Sequence, residues 1–376
     1  MFLAIRELGF ARLRFALMGA VIALISVLMV MLSGLSVGLV RDGVSGLQNL
    51  PVTSFAFAHG VQHDSAFSRS VVDASAVDTW RDQPGVAEAT PFGNTLVNGR
   101  TDGGTEVDLA LFGVETDSFL SPAVSEGDRL GPADGIVVSP TAIDAGLRVG
   151  DTVTVDRLGT RLRVVGVTEQ QDTFGHVDVA YVPLATWQAV KSGTPAGAQT
   201  PAQAAQEITA VAVRAADGDS VNLAAGDKAA GTESLTLDES YGASPGYTAE
   251  TTTLQLIQGF LYAISALVAG AFFAVWAIQR KQEVAVLRAL GASTRWVLRD
   301  ALTQALILLA LAIAVGMGIG LGLGALISGG NVPFALHPQS IAAAAAGLLV
   351  LGLVGAAAAV VRLTSIDPAT ALGGNR

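Results

Sequence analysis

The sequence predicts a polytopic α-helical membrane protein with four transmembrane helices and one mixed α/β extracytoplasmic domain inserted between helices 1 and 2. Three observations carry this expectation. The chain is 51% hydrophobic and only 14% charged, with a mean hydropathy of +0.52, whereas soluble domains carry about 25% charged residues. Four long runs contain no Asp, Glu, Lys or Arg at all. Between the first and second of these lies a long stretch of ordinary polarity, with strand-like and turn-like patterning.

The runs are 15–40, 251–278, 301–328 and 341–361, each long enough for the roughly 20 helical residues that a bilayer core requires. The first exceeds the about 7–15 apolar residues of a cleavable signal core, so it reads as a span. The third carries Gly316, Gly318, Gly320, Gly322 and Gly324. Such a series would weaken a water-exposed helix, but small residues let spans pack closely.

Positive charge sets the expected orientation. Arg6, Arg12 and Arg14 precede the first run, and Arg280, Lys281, Arg288, Arg295 and Arg299 crowd the loop between the second and third. Both segments, and with four spans both termini, are therefore expected in the cytoplasm. The expected organisation is a cytoplasmic amphipathic helix (1–14), helix 1 (15–40), the extracytoplasmic domain (41–250), helix 2 (251–278), a cytoplasmic coupling loop (279–300), helix 3 (301–328), an outer loop (329–340), helix 4 (341–361) and a cytoplasmic tail (362–376).

Residues 42–250 hold 28 acidic and 11 basic residues, a net −17 within a chain of net −10. So acidic an exterior argues against a nucleic-acid partner. No Cys occurs, which leaves the domain without disulfides, thiolate metal sites or a Cys nucleophile. Short β-branched runs at 109–114, 135–138, 152–155, 162–167, 179–182 and 207–214, punctuated by Gly, Asp and Pro, predict strands. Segments 139–145 and 184–190 predict short helices, the first opened by Ser139-Pro140. Segment 191–206, small, polar and Pro-containing, predicts a surface loop.

No catalytic residue is assigned. The pattern Gly-x-x-x-x-Gly-Lys-[Ser/Thr] is absent, so the chain lacks the usual cradle for ATP phosphates, and hydrolase chemistry is not expected of it. His59 and His63 stand four apart, a spacing that on a helix brings two imidazoles to one face to ligate a metal or a haem iron; Gly60 between them weakens the helix. His176 and His337 have no partner nearby in sequence. The most specific feature is the loop that contains Gln282-Glu283-Val284-Ala285-Val286-Leu287-Arg288-Ala289-Leu290-Gly291. A basic edge at the membrane is followed by an apolar stripe at near-helical spacing and a Gly helix stop, which suits a helix docking into a partner's groove.

This loop, continuing through Ala292 and Ser293, resembles the hallmark of the FtsX-like permease family, the membrane subunits of MacB-type (type VII) ABC systems. The resemblance extends over essentially the whole chain, from the basic helix before the first span to Asp367-Pro368-Ala369-Thr370-Ala371-Leu372 near the end, which is similar to the family's terminal Pro-x-x-Ala-Leu. The stretches 47–51 and 67–70 look most similar to the DevC/HrtB branch, which includes haem-exporting permeases. The resemblance implies a bacterial plasma-membrane permease that pairs with a second copy of itself and binds two copies of a separate ABC ATPase. The ATPase would hold ATP and Mg²⁺, while this chain would be no enzyme itself. Glu283, Val286, Leu287, Arg288, Leu290 and Gly291 would couple to the ATPase, with the N-terminal helix as a second shoulder. Mechanotransmission would expel an amphipathic substrate such as haem, a lipid or a drug. For haem, Met29, Met31, Gln255 and Tyr262 are candidate lining residues and His59 and His63 candidate iron ligands. The alternative is a signalling subunit that controls an extracytoplasmic cell-wall hydrolase or sensor.

Overall fold

The computed structural model describes residues 12–218, 220–279, 286, 291–328 and 332–364. It resolves into two compact units, Met1–Gly38 with Thr252–Arg376, and Leu39–Thr251.

Among the described residues, four helices are long and apolar enough to cross a membrane: α1 (Arg12–Gln48), α2 (Tyr247–Gln279), α3 (Thr294–Ile327) and α4 (Pro338–Thr364); the first unit holds most of each, while 39–48 of α1 and 247–251 of α2 belong to the second. Their shared interior is built from Phe15, Ile22 and Met29 of α1, Phe273 of α2, Ala305 and Leu309 of α3, and Leu348 and Ala356 of α4. Glycine decides where the helices meet. A Cβ on Gly316 would overlap the Ala23 carbonyl of α1, and one on Gly320 would come within 2.9 Å of Val30. Gly355 of α4 lies in the same way on the Ala266 carbonyl of α2. Close backbone approach of this kind holds helices together in lipid, where burying apolar surface against another helix gains little over lipid tails. Gly318 and Gly322, on the other face of α3, have nothing within 4 Å. The apolar residues pointing away from the interior, such as Leu17 and Leu267, are 72% and 73% exposed, as side chains facing hydrocarbon can be.

The chain entering α4 folds back into the helices. Ala335 donates its N–H to the Gly34 carbonyl of α1 (3.0 Å). The Phe334 ring occupies the space that a side chain at Gly34 or Gly324 would need, and the Pro333 carbonyl lies on Gly38.

The second unit is an 11-stranded mixed sheet with short helices on its surfaces. In chain order its strands are β1 (Ser54–Ala58), β2 (Val86–Thr101), β3 (Glu106–Val114), β4 (Val124–Gly127), β5 (Gly135–Val138), β6 (Thr152–Val155), β7 (Arg161–Thr168), β8 (Thr173–Phe174), β9 (Val177–Pro183), β10 (Ala210–Ala215) and β11 (Thr232–Thr236). The spatial order is β11-β1-β10-β2-β3-β9-β5-β7-β4, with β6 bridging β2 and β7 and β8 paired to β9. The β3–β9 and β5–β7 pairs are parallel.

Alternation along β3 explains why the central runs are apolar throughout. Ala110, Phe112 and Val114 face one core, and Val107, Leu109 and Leu111 face another, so both surfaces of the strand are covered. The first core is a chain of rings. Phe55, Phe57, Phe67, Phe92, Phe112, Phe174 and Tyr181 contact one another, mostly edge to face, with Phe67–Phe57 and Phe92–Phe112 centroids 5.0 Å apart. On the opposite surface Gly93 and Gly113 stand directly across from each other, and a Cβ on either would overlap Trp187. The cross-strand glycine pair is thus the slot that seats this indole.

Three sequence expectations shift. Helix α3 begins at Thr294, inside the expected coupling loop 279–300, where Ser293 caps it. The first helix runs through the expected boundary at 40 to Gln48, because its last turns carry Asp42, Ser45 and Gly46, which the sheet engages directly. The run 207–214 is broken at Thr209 into Glu207–Ile208, which pairs with Val72–Asp73, and β10. There the Thr209 hydroxyl accepts the Asn94 N–H (2.9 Å), tying the break to β2.

Candidate functional site

The coupling segment is described in part. Val286 is helical and 54% exposed. Gly291 sits at φ +100° with open space where a side chain would be, the left-handed conformation that ends helices and favours Gly. Ser293 then caps α3, its hydroxyl accepting the Trp296 N–H at 3.3 Å. Glu283, Leu287, Arg288 and Leu290, most of the amphipathic helix 1–14, and the motif at 367–372 lie outside the described residues.

Candidate substrate residues fall into separate places. Met29 is 1% exposed, inside the core of the helical unit, and Met31 is half-buried on the same helix. Gln255 is exposed on α2. Tyr262 packs its ring on Gly347 of α4, where a Cβ would lie 2.8 Å from the ring.

His59 and His63 converge, though no helix carries them. Gly60 turns the chain at φ +75°, and a single 3-10 turn begins at His63. Both imidazoles face Glu233 of β11. His63 Nε2 lies 2.6 Å from Oε1 and His59 Nδ1 3.9 Å from Oε2, while the Gly60 N–H donates to Oε2 at 3.0 Å. The Gly60 N–H and the His63 hydrogen bond hold the Glu233 carboxyl below its ordinary range. This carboxylate was not foreseeable from the His-Gly-Val-Gln-His spacing. Among the described residues, no group of three His, Asp or Glu side chains is arranged to hold a metal ion.

A second polar arrangement lies along residues 172–176, where residues 41–49 at the end of α1 and the first turn of α2 meet the sheet within the second unit. Asp172 accepts the Asn49 amide at 2.7 Å, the Thr173 N–H donates to the Ser45 hydroxyl at 2.9 Å, and the Gly175 N–H donates to the Gly43 carbonyl at 2.9 Å. The Thr173 hydroxyl reaches the Arg41 carbonyl at 3.2 Å. Asp172 is 4% exposed and also accepts the Tyr181 hydroxyl at 3.1 Å. Burial raises its carboxyl above the ordinary range, against the lowering effect of those two hydrogen bonds. At the end of this row stands His176, whose Nδ1 is 2.8 Å from Asp42 of α1 and whose Nε2 is 3.1 Å from Glu250 in the first turn of α2. The expectation that His176 has no nearby sequence partner holds, but both of its spatial partners are distant in the chain. The signal available was the turn itself, Phe174-Gly175-His176-Val177, a two-residue hairpin between strand-like runs.

Comparison with known proteins then gives the family. The MacB-like periplasmic core domain family matches residues 15–230 and the FtsX-like permease C-terminal family matches residues 256–368. A permease assigned to a hemin transport system, HrtB of Staphylococcus epidermidis, is 23% identical over 374 residues, covering 100% of this chain and 99% of that protein. The HrtB of Staphylococcus haemolyticus is also 23% identical, over 99% of each chain. An uncharacterized ABC transporter permease of Mycobacterium tuberculosis is 24% identical, over 100% of this chain and 99% of its own. Among solved structures, the extracellular domain of the noncanonic ABC-type transporter YknZ from Gram-positive bacteria matches with 13% identity and a TM-score of 0.34, over 49% of this chain and 98% of that one. The periplasmic region of MacB from Actinobacillus actinomycetemcomitans matches with 16% identity and a TM-score of 0.36, over 53% and 92%. With four apolar helices, a sheet domain between the first and second, and family matches that together span nearly its whole length, the chain belongs to the MacB/FtsX-like family of ABC transporter permeases.

Proposed function

We propose that this chain is the permease subunit of an ABC-type efflux system, working as a homodimer bound to two copies of a separate ATPase. Its termini and the loop around Gly291 face the cytoplasm, and its sheet domain lies outside. ATP-driven closure of the ATPases pushes on the segment 283–291, shifts the spans and moves the sheet domains, expelling an amphipathic substrate from the membrane. Haem is the substrate class favoured, with Met31 and Gln255 on the membrane helices and His59 and His63 outside as contact residues. The observation that supports this most is the full-length similarity to permeases assigned to hemin transport systems, which covers helices and sheet domain alike.

The test is reconstitution of the permease with its ATPase in lipid nanodiscs. Hemin should stimulate ATP turnover severalfold, and Leu287→Asp or Leu290→Asp should abolish both ATPase co-purification and stimulation. Each replaces an apolar anchor whose burial contributes about 1.5–3 kcal/mol with a desolvated charge. Retained binding and stimulation in both variants would remove the coupling role from this segment. Stimulation by other amphiphiles but not hemin would keep the permease and reject haem.

A further inference from the structure

We propose that His176 is a coupling strap of this permease, its imidazole tying the outer end of α1, through Asp42, to the first turn of α2, through Glu250, so that both helices displace the sheet as one. The inference rests on the mechanical reading above and assigns it a residue.

Three independent observations converge on this side chain. The first is geometric: the ring nitrogens lie 2.8 Å from Asp42 and 3.1 Å from Glu250, carboxylates on two different helices. Only the protonated ring, donating from both nitrogens, satisfies both carboxylates. The second is conformational. His176 has φ +67° and follows Gly175 at φ +59°, the pair of left-handed residues that makes a two-residue hairpin, where Asn or Gly is the usual occupant. A His there is held in an uncommon conformation for a non-Gly residue, the kind of outlier that accompanies function. The third is the row of bonds behind it, from Asn49–Asp172 through Ser45–Thr173 to Gly43–Gly175. That row fixes the hairpin along α1, leaving His176 as the residue that reaches α2.

The strap reads proton concentration. The groups facing it are Asp42 from α1 and Glu250 from α2; Asp178, further along its own hairpin, feels the charge of Asp42. Among the described residues no Lys or Arg is ion-paired with any of the three. Partial burial lowers the imidazole's proton affinity, but the Asp42 hydrogen bond and the Glu250 charge outweigh it, and the net shift is upward. The strap is therefore complete below the ordinary His value of about 6.5 and is lost as pH rises through the raised value.

The test uses the absence of native Cys. Spin labels at Gln48→Cys and Thr248→Cys, in full-length permease bound to its ATPase in nanodiscs, report the distance between the two helix ends with and without vanadate-trapped nucleotide. At pH 6 the pair within one wild-type copy should give one narrow distribution, unchanged by trapping. At pH 9.5 the distribution should broaden at least about twofold. His176→Asn suits the left-handed turn better than His, so the hairpin folds, but it carries neither the reach nor the charge. It should be broad at both pH values, and Glu250→Gln should be intermediate. A His176→Asn distribution as narrow as the wild type, or a pH response that survives in it, overturns the strap. If the strap behaves as expected but trapping moves no label pair between the two permease copies, the mechanical reading fails instead, and the two failures are distinguishable.

Discussion

The sheet domain and the membrane helices use glycine for opposite ends. In the sheet domain Gly93, Gly113 and Gly226 make room for the largest side chains, Trp187 and Trp80. In the helices Gly316 and Gly355 make room for another backbone, at Ala23 and Ala266. Water explains the difference. Removing an indole from water is strongly favourable, so the sheet gains by hollowing a seat for it. Helices in lipid gain little by burying apolar surface, so they gain by shortening the distance between backbones.

The largest effect expected from this contrast is at Trp187. Trp187→Ala should cost about 3–5 kcal/mol of sheet-domain stability, because the glycine walls cannot close on the void. Trp187→Phe should cost no more than about 2 kcal/mol, since the buried indole N–H has no hydrogen-bond partner to lose. Hydrogen exchange of β2 and β3 in the full-length protein would report both. Equal losses would mean that volume does not set the stability of this site.

Next in size is the glycine face of α3. Gly316→Ala places a methyl on the Ala23 carbonyl and should destabilise the helical unit by about 1–3 kcal/mol. Gly318→Ala, with open space around it, should be neutral or stabilising, as Ala is the better helix former. Thermal unfolding of both variants in one detergent tests the difference. A destabilising Gly318→Ala would place an unseen partner on that face.

The smallest effect concerns the buried carboxylate of the sheet. Because the folded carboxyl of Asp172 is raised above its unfolded value, the stability it contributes is greatest when protonated and falls as pH climbs past the ordinary carboxylate range. Asp172→Asn removes that fall. Its stability relative to wild type should be more favourable at pH 8 than at pH 4, and a flat difference across that range would reject the assignment.

The helices were legible because four uncharged runs leave little else for the chain to do in water. So were β3, β5, β7 and β9, whose apolar runs are continuous because both faces are covered. The strand β2, Val86–Thr101, was not. Pro91, Gly93, Asn94 and Gly99 read as breakers, and only the fold shows that Gly93 is small to admit Trp187 and that the Asn94 N–H is held by the Thr209 hydroxyl. The site was legible in proportion to how local it is. The segment 283–291 carries its signal in consecutive residues, whereas Glu233 meets His63 across 170 positions and Asp42 meets His176 across 134. No periodicity announces such pairs.

The seat of Phe334 against Gly34 and Gly324 sets an order of assembly. Gly34 of α1 emerges from the ribosome long before Phe334, and at the about 5–20 residues per second of synthesis the wait is roughly 15–60 s. During that interval the space beside Gly34 has no Phe334 ring to fill it, while the whole sheet domain is made. The space is filled only when the segment around Phe334 arrives, so the packed Gly34–Phe334 contact records that the chain between them has already been made.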